Sequence, residues 1–318
     1  MRLRKPRSPI HWLVDGGTLA VALIVTSGCL SAPTRSVGDG GSVATSDGGN
    51  GGRPDREWAH WPIVDRPVYT TTAQTVTDTG TGLIWERAVP SETFRWQEAA
   101  DHCAGLATAV LGGYADWRLP SEIELISIID VTQAGTWVDR VAFPRTPIDQ
   151  HFWSSSPHAS VANEAWGARW GMVTYLDTGD AQQVRCVRGD STPTGSHYAI
   201  SQDVVRDNWT GLTWQRTTPF AAKTWSDAKA YCAGLSLGGG LLPAWRLATY
   251  KELLSLIAWR ARNPALEPDV FPAAGTVTFW SASSSADSPS MAYSVDFGSG
   301  VGLASPQSGL LGIRCVHY

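Results

Sequence analysis

With 318 residues, of which 43% are hydrophobic and 17% charged, the chain can bury a substantial core and is long enough for two domains. Its formal net charge is −4, and the charge becomes −7 when the first 28 residues are left out. A net negative charge argues against nucleic acid and against sulfated polyanions as the principal partner of residues 29–318, because both are negatively charged.

The first 29 residues have the layout of an export signal. Four basic residues precede an apolar run of roughly ten residues, which is too short for a bilayer because a spanning helix needs about 20. Thr26, Ser27 and Gly28 then precede Cys29, an order that resembles a lipoprotein lipobox, although leucine is usual at the position of Thr26. We predict a lipoprotein signal peptide over 1–29 and a membrane anchor on Cys29, with simple cleavage or a retained anchor as the alternative.

Residues 30–57 have the composition of a tether. They are rich in Gly, Ser and Asp and have no apolar periodicity, so we expect a disordered coil with a reach of roughly 30 Å. A lipid, a tether and a folded body together predict a protein displayed from the bacterial cell envelope, at the outer membrane or extracellular.

The folded part of the chain is written twice. Residues 78–85 match 207–214, residues 96–106 match 225–235, residues 116–125 match 244–253, and residues 184–187 match 313–316. The offset between the copies is 129 at both ends and falls to 127 in the middle, and so steady an offset indicates duplication. We predict two tandem domains, over 58–190 and 191–318.

Each copy carries a Trp-Arg-Leu segment followed by a helix start. Ser121 with Glu124, and Thr249 with Glu252, have the Ser/Thr-x-x-Glu spacing of a capping box, in which hydroxyl and carboxylate satisfy free backbone N–H groups. The apolar residues that follow fall on one helical face. The motif therefore predicts an amphipathic helix that belongs to the scaffold.

The cysteines of the two copies are predicted to form two disulfides. In each copy a helix with Trp, Ala and Cys at helical spacing comes first, and a strand containing Arg-Cys-Val comes last. Four cysteines allow three connectivities, but the separations of Cys103 from Cys186 and of Cys232 from Cys315 are both 83. Because the two domains are alike, we predict one disulfide in each, Cys103–Cys186 and Cys232–Cys315. Such bonds persist in an exported protein, where the environment is oxidising. A four-cysteine metal site is the alternative, but the Cys-x-x-Cys spacing is missing.

The order of these blocks resembles the Lcl C-terminal domain family, a bacterial extracellular domain of unknown function named after a collagen-like adhesin. The resemblance covers about residues 75–188 and 200–318. Three positions depart from it, because Ala248 replaces a proline, Ala282 a serine and His317 an arginine.

The element order also resembles the wider C-type-lectin-like group. That likeness implies an α+β fold of two tandem C-type-lectin-like domains, each with two helices packed on short antiparallel strands and with one disulfide. Calcium-dependent members carry Glu-Pro-Asn in a long loop before a Trp-Asn-Asp strand. Here Glu267-Pro268-Asp269 stands just before Phe271 and outside that context, so we interpret it as an incidental loop and predict no metal and no cofactor.

The sequence lacks the usual catalytic motifs. The seven histidines form no His-Glu-x-x-His pattern, and neither a Gly-x-Ser-x-Gly elbow nor a phosphate-binding loop is present. Formylglycine-generating enzymes share an Arg-Leu-Pro-Thr-Glu block, but they need reactive cysteines, and here every cysteine of the mature chain has a structural assignment. We therefore predict that the protein is not an enzyme.

Two hypotheses on function remain, apart from an enzyme resembling the formylglycine-generating group. The first is a surface-displayed adhesion or binding lipoprotein that recognises a glycan or a protein, and the second is a structural envelope component without a soluble ligand. Most of the 16 tryptophans lie at matched positions and are expected in the core. The better candidates for exposed, ligand-stacking rings are Trp137, Trp166, Trp170, Trp209 and Trp259.

Overall fold

The computed structural model describes residues 59–169, 171–189, 196–219, 221–238, 244–259, 265–272 and 278–318. The predicted signal peptide with Cys29 and the predicted tether lie outside these residues, and so does Trp170. Within the described ranges, each helix is too short or too polar to cross a membrane.

In the first copy, the described residues form two helices and seven short strands. The strands are β1 Tyr69–Thr71, β2 Thr75–Asp78, β3 Ile84–Glu86, β4 Phe152–Pro157, β5 Glu164–Arg169, β6 Met172–Asp177 and β7 Val187–Arg188, and the helices are α1 Trp96–Thr108 and α2 Glu122–Ser127. A single 3-10 turn, Leu111–Gly113, follows α1.

The second copy repeats this order of elements and adds one short strand between its helices. Its strands are β8 Tyr198–Ile200, β9 Val204–Asp207, β10 Thr213–Gln215, β11 Arg246–Leu247, β12 Thr278–Ser284, β13 Met291–Asp296, β14 Val301–Pro306 and β15 Cys315–His317, and its helices are α3 Trp225–Ala233 and α4 Tyr250–Leu254.

Each copy builds two small antiparallel sheets from these strands. The sheet orders are β1-β2-β3-β7 and β4-β5-β6 in the first copy, and β11-β15-β10-β9-β8 and β12-β13-β14 in the second. The disulfides Cys103–Cys186 and Cys232–Cys315 each join the long helix of a copy to its last strand region. The prediction of two tandem domains with helices, short antiparallel strands and one disulfide per copy is confirmed.

The Trp-Arg-Leu motif acts as scaffold through its arginine. Arg118 donates two hydrogen bonds to the carboxylate of Glu124, at 2.7 and 2.6 Å, while the same carboxylate accepts the backbone N–H of Ser121 at 2.8 Å. Arg246 and Glu252 repeat the paired bonds at 2.7 and 2.6 Å. A bidentate ion pair of this kind fixes geometry as well as charge, so the start of each helix is tied to the Trp-Arg-Leu segment before it.

The two copies share one hydrophobic core. Helix α2 packs against α4 and strand β6 lies beside β14, and the largest cluster of buried apolar residues runs through both copies. Every residue of α2 and of α4 is buried. The tandem repeat therefore folds as one body from residue 59 onward, with each copy covering the inner helix of the other.

A lysine of the second copy forms hydrogen bonds across the boundary to the first. The ammonium of Lys251 is buried and donates to the backbone oxygen of Ser127 at 2.8 Å and to that of Val64 at 3.2 Å. Burial lowers the pKa of Lys251 to about 8. The hydroxyl of Tyr318 donates to the backbone oxygen of Ile63 at 3.1 Å, so the segment ahead of β1 is bound by the second copy.

A buried arginine occupies the same position in each copy. Arg185 donates to the backbone oxygens of Glu86 and Arg87 at 2.7 and 3.0 Å and lies over the ring of Phe143, 4.6 Å from its centroid. The matched residue Arg314 makes the same type of contacts in the second copy. Since unpaired buried charge is costly, these carbonyl and ring contacts are what retain the guanidinium in the core.

The residue beside this arginine differs between the copies. Glu86 and Gln215 are matched, and each side chain accepts the backbone N–H of a disulfide cysteine, Glu86 from Cys186 and Gln215 from Cys315. Burial raises the pKa of Glu86 to about 7, against the opposing effects of the Cys186 N–H and of Arg185.

Replacing Glu86 by glutamine is expected to stabilise the protein at alkaline pH. The folded state holds the proton more tightly than the unfolded state, so the contribution of neutral Glu86 is complete below about pH 4.5 and is lost as the pH rises through 7. Glu86→Gln should raise the free energy of unfolding by about 2–3 kcal/mol at pH 8 and by less than about 1 kcal/mol at pH 5. Urea unfolding of both proteins at the two pH values checks this, and an equal gain at both would contradict it.

Candidate functional site

Three of the five tryptophans predicted to be exposed are buried. Trp137, Trp166 and Trp259 are 1%, 2% and 1% exposed, so the prediction of open stacking surfaces was wrong for them. The physical reason is the shared core, because the boundary between the copies covers these rings; the indole of Trp166 meets that of Trp259 at 5.0 Å, edge to face. Trp209 is half-buried and stacks on His197 at 4.0 Å.

Backbone hydrogen bonds fix which residues of the two copies correspond. His158 N donates to Glu164 O at 2.9 Å, and Ser285 N donates to Met291 O at 3.0 Å, at the same place in the β4–β5 and β12–β13 hairpins. In the adjoining strands, β5 pairs with β6 in the same register as β13 with β14.

The loops after α2 and α4 correspond in the same way. Asp130 N donates to Trp137 O at 2.7 Å, and Ala258 N donates to Ala265 O at 2.9 Å. The matched pairs that matter below are Val131 with Trp259, Trp137 with Ala265, Ser285 with His158, Tyr293 with Trp166, and Ala304 with Tyr175.

A cavity of about 410 Å³ lies between the two copies. The first copy contributes the loop after α2 and the start of β6, and the second contributes the β12–β13 turn and strands β13 and β14. The lining residues are Val131, Gly135, Thr136, Trp137, Ile148, Met172, Ser285, Asp287, Tyr293 and Ala304. Mostly apolar walls with a few polar groups are typical of small-molecule sites.

The polar groups of this cavity lie at one edge. Asp287 is exposed, and its Oδ1 accepts the backbone N–H of Gly135 at 2.7 Å, which ties the turn of the second copy to the loop of the first. Burial, and secondarily the charge of Asp287, raise the pKa of the Tyr293 hydroxyl, while a hydrogen bond with Ser285 lowers it. Tyr293 is therefore a neutral hydroxyl at physiological pH.

At the matched location on the other side of the boundary, the chain places its own rings. Trp166 contacts Trp259 at 5.0 Å, Tyr175 at 5.7 Å and His158 at 5.6 Å, and His158 meets Tyr175 at 4.7 Å. A Cβ on Gly300 would come within 2.8 Å of the Trp166 ring, so this cluster is packed tightly against the second copy.

A second, more open cavity of about 590 Å³ lies beside α3 and α4. Three of its charged groups already serve the scaffold, because Arg246 and Glu252 form the bidentate pair described above and Asp65 hydrogen bonds the side chain of Thr249. The fourth, Lys229, lies over the ring of Trp225, 4.2 Å from its centroid. Glu86, His102 and Cys186 lie within 4.8 Å of one another, as metal ligands could. The sulfur of Cys186 is consumed in a disulfide, so this trio does not form a metal centre.

Sequence reasoning named only Trp137 among the residues of the inter-copy cavity, and it did so because an exposed ring was expected. It missed Ser285, Asp287, Tyr293 and Ala304. A signal for two of them does exist in the sequence. Ser285 and Ala304 are small residues at positions where the first copy has the ring-bearing residues His158 and Tyr175.

Comparison with known proteins agrees with the internal repeat. The family model described as the Lcl C-terminal domain matches the chain twice, over residues 74–188 and 203–317. A search of curated proteins finds no match.

Proposed function

Since the chain belongs to the Lcl C-terminal domain family in two copies, we propose that it is a non-catalytic binding module displayed from the bacterial envelope. Its ligand is a glycan or a protein on a facing surface. The observation that carries the proposal is the cavity between the copies, which combines the rings of Trp137 and Tyr293 with the carboxylate of Asp287.

The chemistry of the lining supports binding over catalysis. Among the described residues around the cavity, the side chains that could act on a bound group are two hydroxyl-bearing residues, Thr136 and Ser285, one phenol and one carboxylate. General acid–base catalysis needs a base poised to exchange a proton with its substrate, and a hydrolytic serine needs an adjacent base. Among the described residues of this lining, no histidine stands beside Thr136 or Ser285, and the one carboxylate, Asp287, is exposed and already accepts the backbone N–H of Gly135.

The anchoring belongs to the same proposal. A lipid on Cys29 and a tether over 30–57 would hold the body roughly 30 Å from a membrane, which suits recognition of a partner on another surface. The proposed C-type-lectin-like arrangement is supported by the order of elements in each copy, with a disulfide that joins the long helix to the last strand.

Glycan and peptide arrays probed with the full chain test the proposal. We expect a discrete set of bound ligands, and we expect Ala304→Tyr to weaken that binding at least about tenfold, because tyrosine at this position would enter the cavity as Tyr175 enters the matched cluster. The matched control is Leu303→Tyr, on the opposite face of β14. An array without ligands would contradict the proposal and favour a structural envelope component.

A further inference from the structure

Resting on the function proposed above, we propose that the inter-copy cavity takes an aromatic ring that carries a positive charge. The ring would come from outside the chain and would lie where the chain places its own rings at the matched location. Shape and charge support the two halves of this inference separately.

The shape argument comes from the difference between the two copies. Where the second location has Trp259, His158 and Tyr175, the cavity has Val131, Ser285 and Ala304, so three rings are missing from a site with the same backbone frame. The cavity opens to solvent, since Asp287 and Ala304 in its lining are exposed, so a ring from outside the chain can enter it. The cavity of about 410 Å³ is left by these three smaller side chains, and a ring supplied by a ligand would fit in place of the missing rings.

One exchange runs the other way. Trp137 stands where the second copy has Ala265, and its indole, only 1% exposed, backs the wall of the cavity on the side of the first copy. The ring of Tyr293, which is 7% exposed, forms the wall on the side of the second copy. Aromatic rings favour offset or edge-to-face contacts with other rings, as the cluster of Trp166, Trp259 and Tyr175 does at the matched location.

The charge argument comes from Asp287. Of the described residues that line the cavity, Asp287 alone is charged, and its matched position holds Ser160. One carboxylate oxygen accepts Gly135 N, and a carboxylate has lone pairs to accept further donors. A cation on the ligand would meet this carboxylate at the edge, and it would also be attracted by the faces of the aromatic rings.

Titration with small probes of opposite charge tests the inference. We expect the full chain to bind 2-phenylethylamine about tenfold more tightly than phenylacetate, which has an aromatic ring of the same size and a negative charge. Asp287→Asn should reduce that preference to less than about threefold, since the amide oxygen still accepts the Gly135 N–H. Ala304→Tyr should abolish binding of the amine, and Leu303→Tyr should leave it unchanged.

Each alternative result has a distinct meaning. Equal binding of phenylacetate, or amine binding that survives Ala304→Tyr, would overturn the inference. So would tight binding of glucosamine, a cation without an aromatic ring, which would indicate a sugar site instead. If array ligands bind and are lost in Ala304→Tyr while 2-phenylethylamine does not compete with them, the binding function stands and the inference on ligand class fails. Thermal unfolding of each variant, matched to wild type, confirms that the fold is intact.

Discussion

The first copy alone, residues 59–189, is expected not to fold. All six residues of α2 are buried, including the acidic side chains of Glu122 and Glu124, and α4 of the other copy supplies part of their cover. A helix surrounded by protein on every side needs a partner for each face. Without the second copy the isolated chain would expose a large apolar surface where its neighbour had been.

The free energy lost with this apolar burial is large enough to unfold the first copy. Burial of one large apolar side chain is worth about 1.5–3 kcal/mol, and a domain is stable by only about 5–15 kcal/mol in total. Trp166, which lies against Trp259 and Gly300 of the second copy, would lose cover together with the residues of α2. Several such losses together are comparable to the whole stability of a small domain.

Circular dichroism and thermal unfolding of residues 59–189 measure this. We expect no cooperative transition, and we expect one to return when residues 196–318 are co-expressed as a separate chain. A cooperative transition of the first copy alone would show that the copies are independent domains. The control is the full chain cut between residues 189 and 196, which should unfold in a single transition.

The shared core also explains which features of the fold could be predicted from the sequence. The repeat, the capping boxes and the cysteine pairing are local or are internally duplicated, so spacing alone identified them. The docking of α2 on α4 was not predicted, because hydrophobic periodicity indicates which face of a helix is buried but gives no sign that a second copy covers the other faces. Lys251 is an example. It corresponds to Ile123 of the first copy, and a lysine at that position predicts an exposed side chain, but Lys251 is buried.

The candidate site was predicted less well for a related reason. Trp137 was singled out as an exposed ring, but it is 1% exposed and lines an internal boundary. Asp287 and Ala304 lie on different strands or turns of the other copy, and their proximity to Trp137 depends on how the copies dock. A composition that is rich in tryptophan gives no information on that arrangement.

Loss of the Cys103–Cys186 disulfide is expected to release helix α1 while the shared core persists. The bond closes a loop across a separation of 83 residues, and the chain-entropy model gives about 4.5 kcal/mol for a loop of this length. Helix α1 has 13 residues, of which only Ala99 and Cys103 are buried, and it packs against a small cluster separate from the main core. Apart from these two, the residues of α1 that pack against the cluster, such as Trp96 and Leu106, are only partly buried, so α1 would be held less firmly than α2 once the disulfide is gone.

Hydrogen exchange of the double variant Cys103→Ala/Cys186→Ala tests whether the loss of stability is confined to α1. Amide protection in α1 should fall to near the unfolded level, whereas α2, which is buried on all sides, should lose much less. The second copy offers the matched variant Cys232→Ala/Cys315→Ala, where α3 also has two buried residues, Ala228 and Cys232, in an equivalent cluster. A uniform loss of protection across α1 and α2 would mean that each disulfide stabilises the whole body and not its own helix.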